Sequence, residues 1–115
     1  MEQWIREEML LGADAMARLA ESHVAVFGIG GVGSFCVEAL ARGGVGELTL
    51  VDHDAVSLSN LNRQLCALHS TLGQGKAAVM ARRIAEINPA CRVHVLEKLY
   101  CEQEKATFFT SQYDY

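Results

Sequence analysis

Four glycines, an aspartate, an arginine and a lysine are the residues of this chain whose types and spacing could do chemistry. In "VAVFGIGGVGSF", Val24 to Phe35, the glycines Gly28, Gly30, Gly31 and Gly33 form a loop between an apolar run and a helical pattern. Gly28 permits a tight turn, and Gly30 and Gly31 lack the Cβ atoms that would keep backbone N–H groups away from a phosphate. Gly33 lets helix and strand pack closely. Asp52 follows where, about 20 residues beyond the glycines, an acidic side chain meets a ribose hydroxyl. These features suit a dinucleotide such as NAD(P) and ATP equally.

The residues downstream separate the two nucleotides. "SNLNRQ", Ser59 to Gln64, together with Lys76 puts two cations, Arg63 and Lys76, into the segment expected over the carboxyl ends of the strands, where open parallel sheets bind ligands. The diphosphate of a dinucleotide is largely managed by a helix N-terminus. A triphosphate about to release pyrophosphate needs added positive charge where negative charge develops. Arg63 and Lys76 therefore favour ATP, whereas an NAD(P)-binding oxidoreductase module leaves them unexplained. "GQGKA" is not a Walker loop, because Ser70 stands where its first glycine belongs and Ala77 where its Ser or Thr belongs.

Cys36, Cys66, Cys91 and Cys101 contain no C-x-x-C pair, so their spacing writes neither a zinc site nor a dithiol redox motif. No His or Arg is placed by a motif to activate a thiol, and Cys66 and Cys36 are the residual candidates for that role. His23, His53, His69 and His94 lack i,i+4 pairing and are assigned no role.

The elements that must position the site follow from periodicity. Residues 2 to 21 read as two short helices separated at Gly12, with Met9, Leu10, Met16, Leu19 and Ala20 as their apolar side. "HVAVFG" is a first strand, "SFCVEALARGGVG" a helix stopped by Gly43-Gly44, and "ELTLVD" a second strand, together a right-handed βαβ unit with parallel strands. Residues 53 to 72 form an unusually long link, in which Asn60 caps a short helix carrying Leu61, Leu65 and Leu68. "GKAAVMARRIAEINP" is an amphipathic helix with Val79, Met80, Ile84 and Ile87 inward and Arg82, Arg83 and Glu86 toward water. "CRVHVLE" alternates as a third strand and "CEQEKATFFTSQ" is a short helix. The final "YDY" approaches a fourth strand.

The 115 residues are 50% hydrophobic and 21% charged, a globular composition sufficient for one core. Lys and Arg number 10 against 14 Asp and Glu, and the net charge of −4 supplies no general attraction for nucleic acid or an anionic membrane. No apolar run approaches the roughly 20 residues of a membrane span, and "MEQWIREEML" lacks the order of a signal peptide, so a cytoplasmic protein is expected.

"GIGGVGSFCVEALARGGVGELTLVDHDAVSLSNLNRQ" followed by Lys76 closely resembles the ThiF/MoeB/HesA adenylating family, to which the ubiquitin-activating enzymes also belong. Both the G-x-G-G-x-G loop and the N-x-x-R-Q box match. "REEMLLGADAM" and "LCALHSTLGQGKAAVMARRIAEINP" look most like its tRNA threonylcarbamoyladenosine dehydratase branch, and the likeness runs from about Trp4 to Leu96.

The resemblance implies that residues 1–115 are the N-terminal, ATP-binding part of a Rossmann-like α/β domain. It implies that Gly28, Gly30, Gly31 and Gly33 seat phosphates, Asp52 the ribose, and Ser59, Asn60, Arg63 and Lys76 the triphosphate. Arg6 then corresponds to an arginine that reaches the ATP of the other subunit of a homodimer, and Arg6, Arg63 and Lys76 act in catalysis. The implied reaction uses Mg2+ and ATP to adenylate a carboxylate, borne by modified tRNA or, alternatively, by the C-terminus of a ubiquitin-like or sulfur-carrier protein. Family members continue into a fourth strand with a magnesium-binding aspartate. A chain ending at Tyr115 is expected to turn over weakly or not at all, and a non-catalytic dimerisation fragment is its alternative role. The missing fourth strand is expected to leave an open edge on the first strand, covered by another chain or by rearranged residues.

Overall fold

The computed structural model describes residues 2–115. After a single 3-10 turn, α1 (Ile5–Leu11) and α2 (Ala13–Glu21) are split at Gly12, whose φ of 86° ends one helix and starts the next. Then follow β1 (His23–Phe27), α3 (Gly33–Gly43), β2 (Glu47–Val51), α4 (Lys76–Ile87), β3 (Arg92–Leu96) and the single-turn α5 (Lys105–Phe108). The three strands are parallel and ordered β1-β2-β3, pairing His23 with Glu47 and Glu47 with Arg92 at their starts. Two right-handed crossovers in that order bring α3 and α4 to the same face of the sheet.

That face holds the core. Val24, Leu48 and Leu50 alternate toward the helices and pack with Val37 and Ala41 of α3 and Met80 and Ile84 of α4. α3 stops where Gly44 takes a left-handed φ of 99°, and Asn88 ends α4 while its amide donates to Ala41 O at 3.1 Å and Val45 O at 3.3 Å. Glu38 of α3 bonds Arg83 of α4 and Arg42, which holds the Glu38 carboxyl below its ordinary value, the Arg83 hydrogen bond contributing most. Arg83, expected to face water, is thus a tie between the two helices.

Two further expectations are corrected. Met9 and Leu10 are 81% and 87% exposed, and of the apolar residues proposed for the N-terminal helices only Met16 is buried. Helix α1 is too short to bury a stripe of its own. No helix follows Asn60, because residues 58–71 fold as 3-10 turns and loops at Leu58–Asn60 and His69–Thr71. Asn60 is the last residue of the first turn, and its side-chain oxygen reaches back to accept Ser57 N–H at 2.9 Å. The outer edge of β1 is covered by residues of the chain itself, one of the two covers expected for it: His23 O accepts Asp114 N–H at 2.7 Å and Ala25 N–H donates to Tyr115 O at 3.0 Å. The chain's own last residues take part of that edge. No helix among the described residues is long and apolar enough to cross a membrane.

Candidate functional site

The glycine loop springs from the carboxyl end of β1. Gly28 has a φ of 94°, which an L side chain resists, and its N–H donates to Val51 O at 2.8 Å, carrying the β1–β2 ladder one step past the strand. A Cβ on Gly33 would lie 1.7 Å from Gly28 O, so the first turn of α3 closes onto the loop only with glycine there. Gly30 and Gly31 face side chains instead of backbone: Gln64 covers the first, and the Arg63 stem covers the second at 3.8 Å from where a Cβ would stand. Ser34 donates to Gly30 O and accepts Leu65 N–H at 3.2 Å, tying the loop to the segment that carries Arg63.

Asp52, one residue beyond β2, accepts Ile29 N–H at 2.6 Å and Asp54 N–H at 2.7 Å. It therefore clamps the glycine loop to the start of the long link. Beside it opens a cleft of about 300 Å³ lined by Phe27, Gly28, Val51, Asp52, Lys98 and Tyr100, among others. Lys98, Leu99 and Tyr100 follow β3 and were missed by motif reasoning; the rule that ligands sit beyond the carboxyl ends of parallel strands is the signal that points to them.

Lys76 is brought here by a contact that no local pattern encodes. The link doubles back, pairing Ala55 with Gly75 in an antiparallel bridge, while Val56 N–H donates to Gln74 O and Lys76 N–H to Asp54 O. The first residue of α4 is thereby docked against the loop after β2. Lys76 is only 7% exposed, and its ammonium forms no ion pair among the described residues. Arg63 is exposed and bonds Ser59 O at 3.0 Å and Asn62 Oδ1 at 2.9 Å, again without an ion pair among those residues.

The structure thus gathers Gly28, Gly30, Gly31, Gly33, Asp52, Arg63 and Lys76 at one end of the sheet. Asn60 is buried in its turn, and the Ser59 hydroxyl lies 3.3 Å from that of Ser57. Arg6 is exposed on α1 and lines no part of the cleft. Cys66 is fully buried beneath the loop, and burial pushes its thiol above the ordinary value, the reverse of an activated nucleophile.

A glycine loop between strand and helix, a clamping aspartate and a cleft past the strand ends define a Rossmann-like nucleotide-binding α/β sheet. The ThiF family profile matches residues 5–115, and the chain belongs to that family.

It is 50% identical over 115 residues to the tRNA threonylcarbamoyladenosine dehydratase of Bacillus subtilis, covering 100% of this chain and 45% of that protein. With the Escherichia coli molybdopterin-synthase adenylyltransferase it shares 37% identity over 108 residues, 92% of this chain and 43% of the relative. The crystal structure of E. coli tRNA N6-threonylcarbamoyladenosine dehydratase in complex with ATP superposes with a TM-score of 0.94 at 43% identity. That match covers 97% of this chain and 46% of the other. The chain spans less than half the length of these relatives.

Proposed function

We propose that this chain supplies the ATP-binding part of an adenylating enzyme whose substrate carboxylate is the threonylcarbamoyl group of modified tRNA. The observation that carries the nucleotide reading is Lys76, buried at the start of α4 with no carboxylate partner among the described residues, beside a glycine loop and an aspartate-clamped cleft. A buried ammonium is costly unless an anion neutralises it, and a polyphosphate would do so. The resemblance to dehydratases and an adenylyltransferase supports the reaction class.

On this reading the cleft takes the adenosine, with Phe27, Val51 and Tyr100 as apolar walls and Asp52 at the ribose. Backbone N–H groups of Gly30 and Gly31 and the N-terminus of α3 seat the phosphates. Arg63, Lys76, Ser59 and Asn60 surround the triphosphate. The substrate carboxylate attacks the α-phosphorus, the bond to the β-phosphate oxygen breaks, and pyrophosphate leaves an acyl adenylate. A nucleophile within the substrate then expels AMP and closes a ring. The chain's part is orientation and charge stabilisation, since carboxylate and polyphosphate repel until cations and dipoles surround them.

The described residues do not make a magnesium cage: Asp52 directs both oxygens at backbone N–H groups, and Asp54 lies 3.2 Å from His53. Mg2+ would arrive on the phosphates of ATP, with no step here assigned to it. A homodimer in which Arg6 serves the partner's site fits the exposed Ile5, Met9 and Leu10 of α1. Adenylation of a carrier-protein C-terminus is the second reading, favoured by the likeness to molybdopterin-synthase adenylyltransferase.

Calorimetric titration with Mg-ATP and with NAD tests the nucleotide. ATP is expected to bind more tightly, and Arg63→Ala and Lys76→Ala each to weaken it at least tenfold, about 1.4 kcal/mol, without loss of folding. Tighter NAD binding overturns the proposal. AMP release by the whole protein with modified tRNA or with a carrier protein separates the two substrates.

A further inference from the structure

The opposite end of the sheet, where the strands start, carries a second cluster. Register sets His23 beside Glu47, Glu47 beside Arg92, and Thr49 beside His94, and alternation puts all five side chains on the face away from α3 and α4. His94 Nε2 is 2.7 Å from Glu47 Oε2, and His23 Nδ1 is 3.7 Å from that same oxygen. One donor atom from each of the three residues lies within 4.8 Å of the others. The remaining carboxylate oxygen, Oε1, accepts Arg92 Nη2 at 2.8 Å, which leaves Oε2 to the two imidazoles.

The buried member is held in place independently of the other two. His23 Nε2 lies 2.7 Å from Thr49 Oγ1, and the ring packs edge-on against Tyr113 with centroids 4.8 Å apart. Asp114 Oδ2 accepts the His23 backbone N–H at 2.8 Å. The ring is therefore fixed with Nδ1 turned to Glu47.

We propose that His23 Nδ1, Glu47 Oε2 and His94 Nε2 form a binding site for a Zn2+-class transition-metal ion, stapling the starts of β1, β2 and β3. Two imidazoles and one carboxylate are a zinc donor set, and bonds of about 2.0–2.2 Å in tetrahedral geometry separate donor atoms by roughly 3.3 Å. The observed 2.7 and 3.7 Å bracket that separation, so small side-chain shifts complete the site. Thr49 supplies the outer hydrogen bond that orients a metal-binding histidine. The His94 side chain is 54% exposed, which opens the fourth position to water. Imidazole donors select against Mg2+ and Ca2+, which take oxygen ligands.

Titration of metal-free chain with Zn2+ and with Mg2+, by calorimetry and thermal melting, tests this site. The expected result is saturable 1:1 Zn2+ binding that raises the melting temperature, with no such rise for Mg2+. His94→Ala, at an exposed position, is expected to keep the fold and weaken Zn2+ at least tenfold, and Glu47→Gln to do the same. His53→Ala, which disrupts the separate Asp52, His53 and Asp54 group, and Cys36→Ser leave the affinity unchanged. In NMR the ring signals of His23 and His94 shift with Zn2+. Absence of saturable binding, or binding that survives His94→Ala, overturns the proposal.

Discussion

The carboxylate of Asp52 accepts the backbone N–H of Ile29 at 2.6 Å, so the residue proposed for the ribose also holds the glycine loop in shape. Its second oxygen takes Asp54 N–H, which makes it the joint between the loop and the long link. Asp52→Ala is expected to cost about 1.5–3 kcal/mol, the range for hydrogen bonds to a charged group. Denaturant melts measure the loss, and hydrogen exchange should rise selectively at Ile29 and Asp54. Unchanged protection at Ile29 would remove the clamp from the account.

Gly33 and Gly31 should respond differently to alanine. At Gly33 the new Cβ meets Gly28 O at 1.7 Å, and backbone must move, so folding stability and nucleotide binding are both expected to fall. At Gly31 the nearest group is the flexible Arg63 stem at 3.8 Å, so the fold should hold while ATP affinity drops. Paired thermal melts and ATP titrations distinguish the two outcomes.

Lys76→Met should leave the fold as stable as before or more so in the absence of nucleotide, because it replaces a buried, unpaired ammonium by an apolar chain of similar length. ATP affinity should fall at least tenfold. A large loss of stability in the ligand-free variant would mean that Lys76 has a structural partner.

Acid should loosen the packing of α3 against α4. Glu38 is held below its ordinary value of 4.5 by Arg83 and then Arg42, so its folded pKa is lower than its unfolded one. Its stabilising contribution is present above that ordinary value and disappears as pH falls through the depressed folded value. Glu38→Gln should flatten the acid limb of the stability profile and change little at pH 7 beyond the loss of the ion pairs.

Met9→Glu with Leu10→Glu should reduce self-association without unfolding the chain, since both side chains are exposed on α1. Sedimentation velocity measures the change, and an identical distribution for the double variant would place any dimer contact elsewhere.

Much of this architecture is legible in local chemistry. The apolar, β-prone run "HVAVF", the alternation in "RVHVL", the helical period from Lys76 to Ile87, and stop signals at Gly44 and Asn88 are each written within a few residues. Strand, glycine turn, helix and strand in that order dictate a right-handed parallel unit, and with it the end of the sheet where Gly28 and Asp52 meet. The link from 53 to 72 misleads for an equally local reason: Leu61, Leu65 and Leu68 have helical spacing. Their segment instead follows the Ser57–Asn60 turn and the bond from Leu65 N–H to Ser34.

The tertiary structure alone decided the rest, because it depends on distances between residues far apart in sequence. Burial of Lys76 comes from the clasp of Ala55 on Gly75 and from its own bond to Asp54 O. The burial of Cys66, which raises its thiol above the ordinary value, comes from its place under Ile29. His23 and His94 carry no pairing signal in the sequence, being 71 residues apart. Strand register sets one beside Glu47 and the other beside Thr49, and alternation turns all four side chains to one face. Periodicity determines which elements form and which side of each is apolar. Only the packing of those elements determines which polar atoms meet.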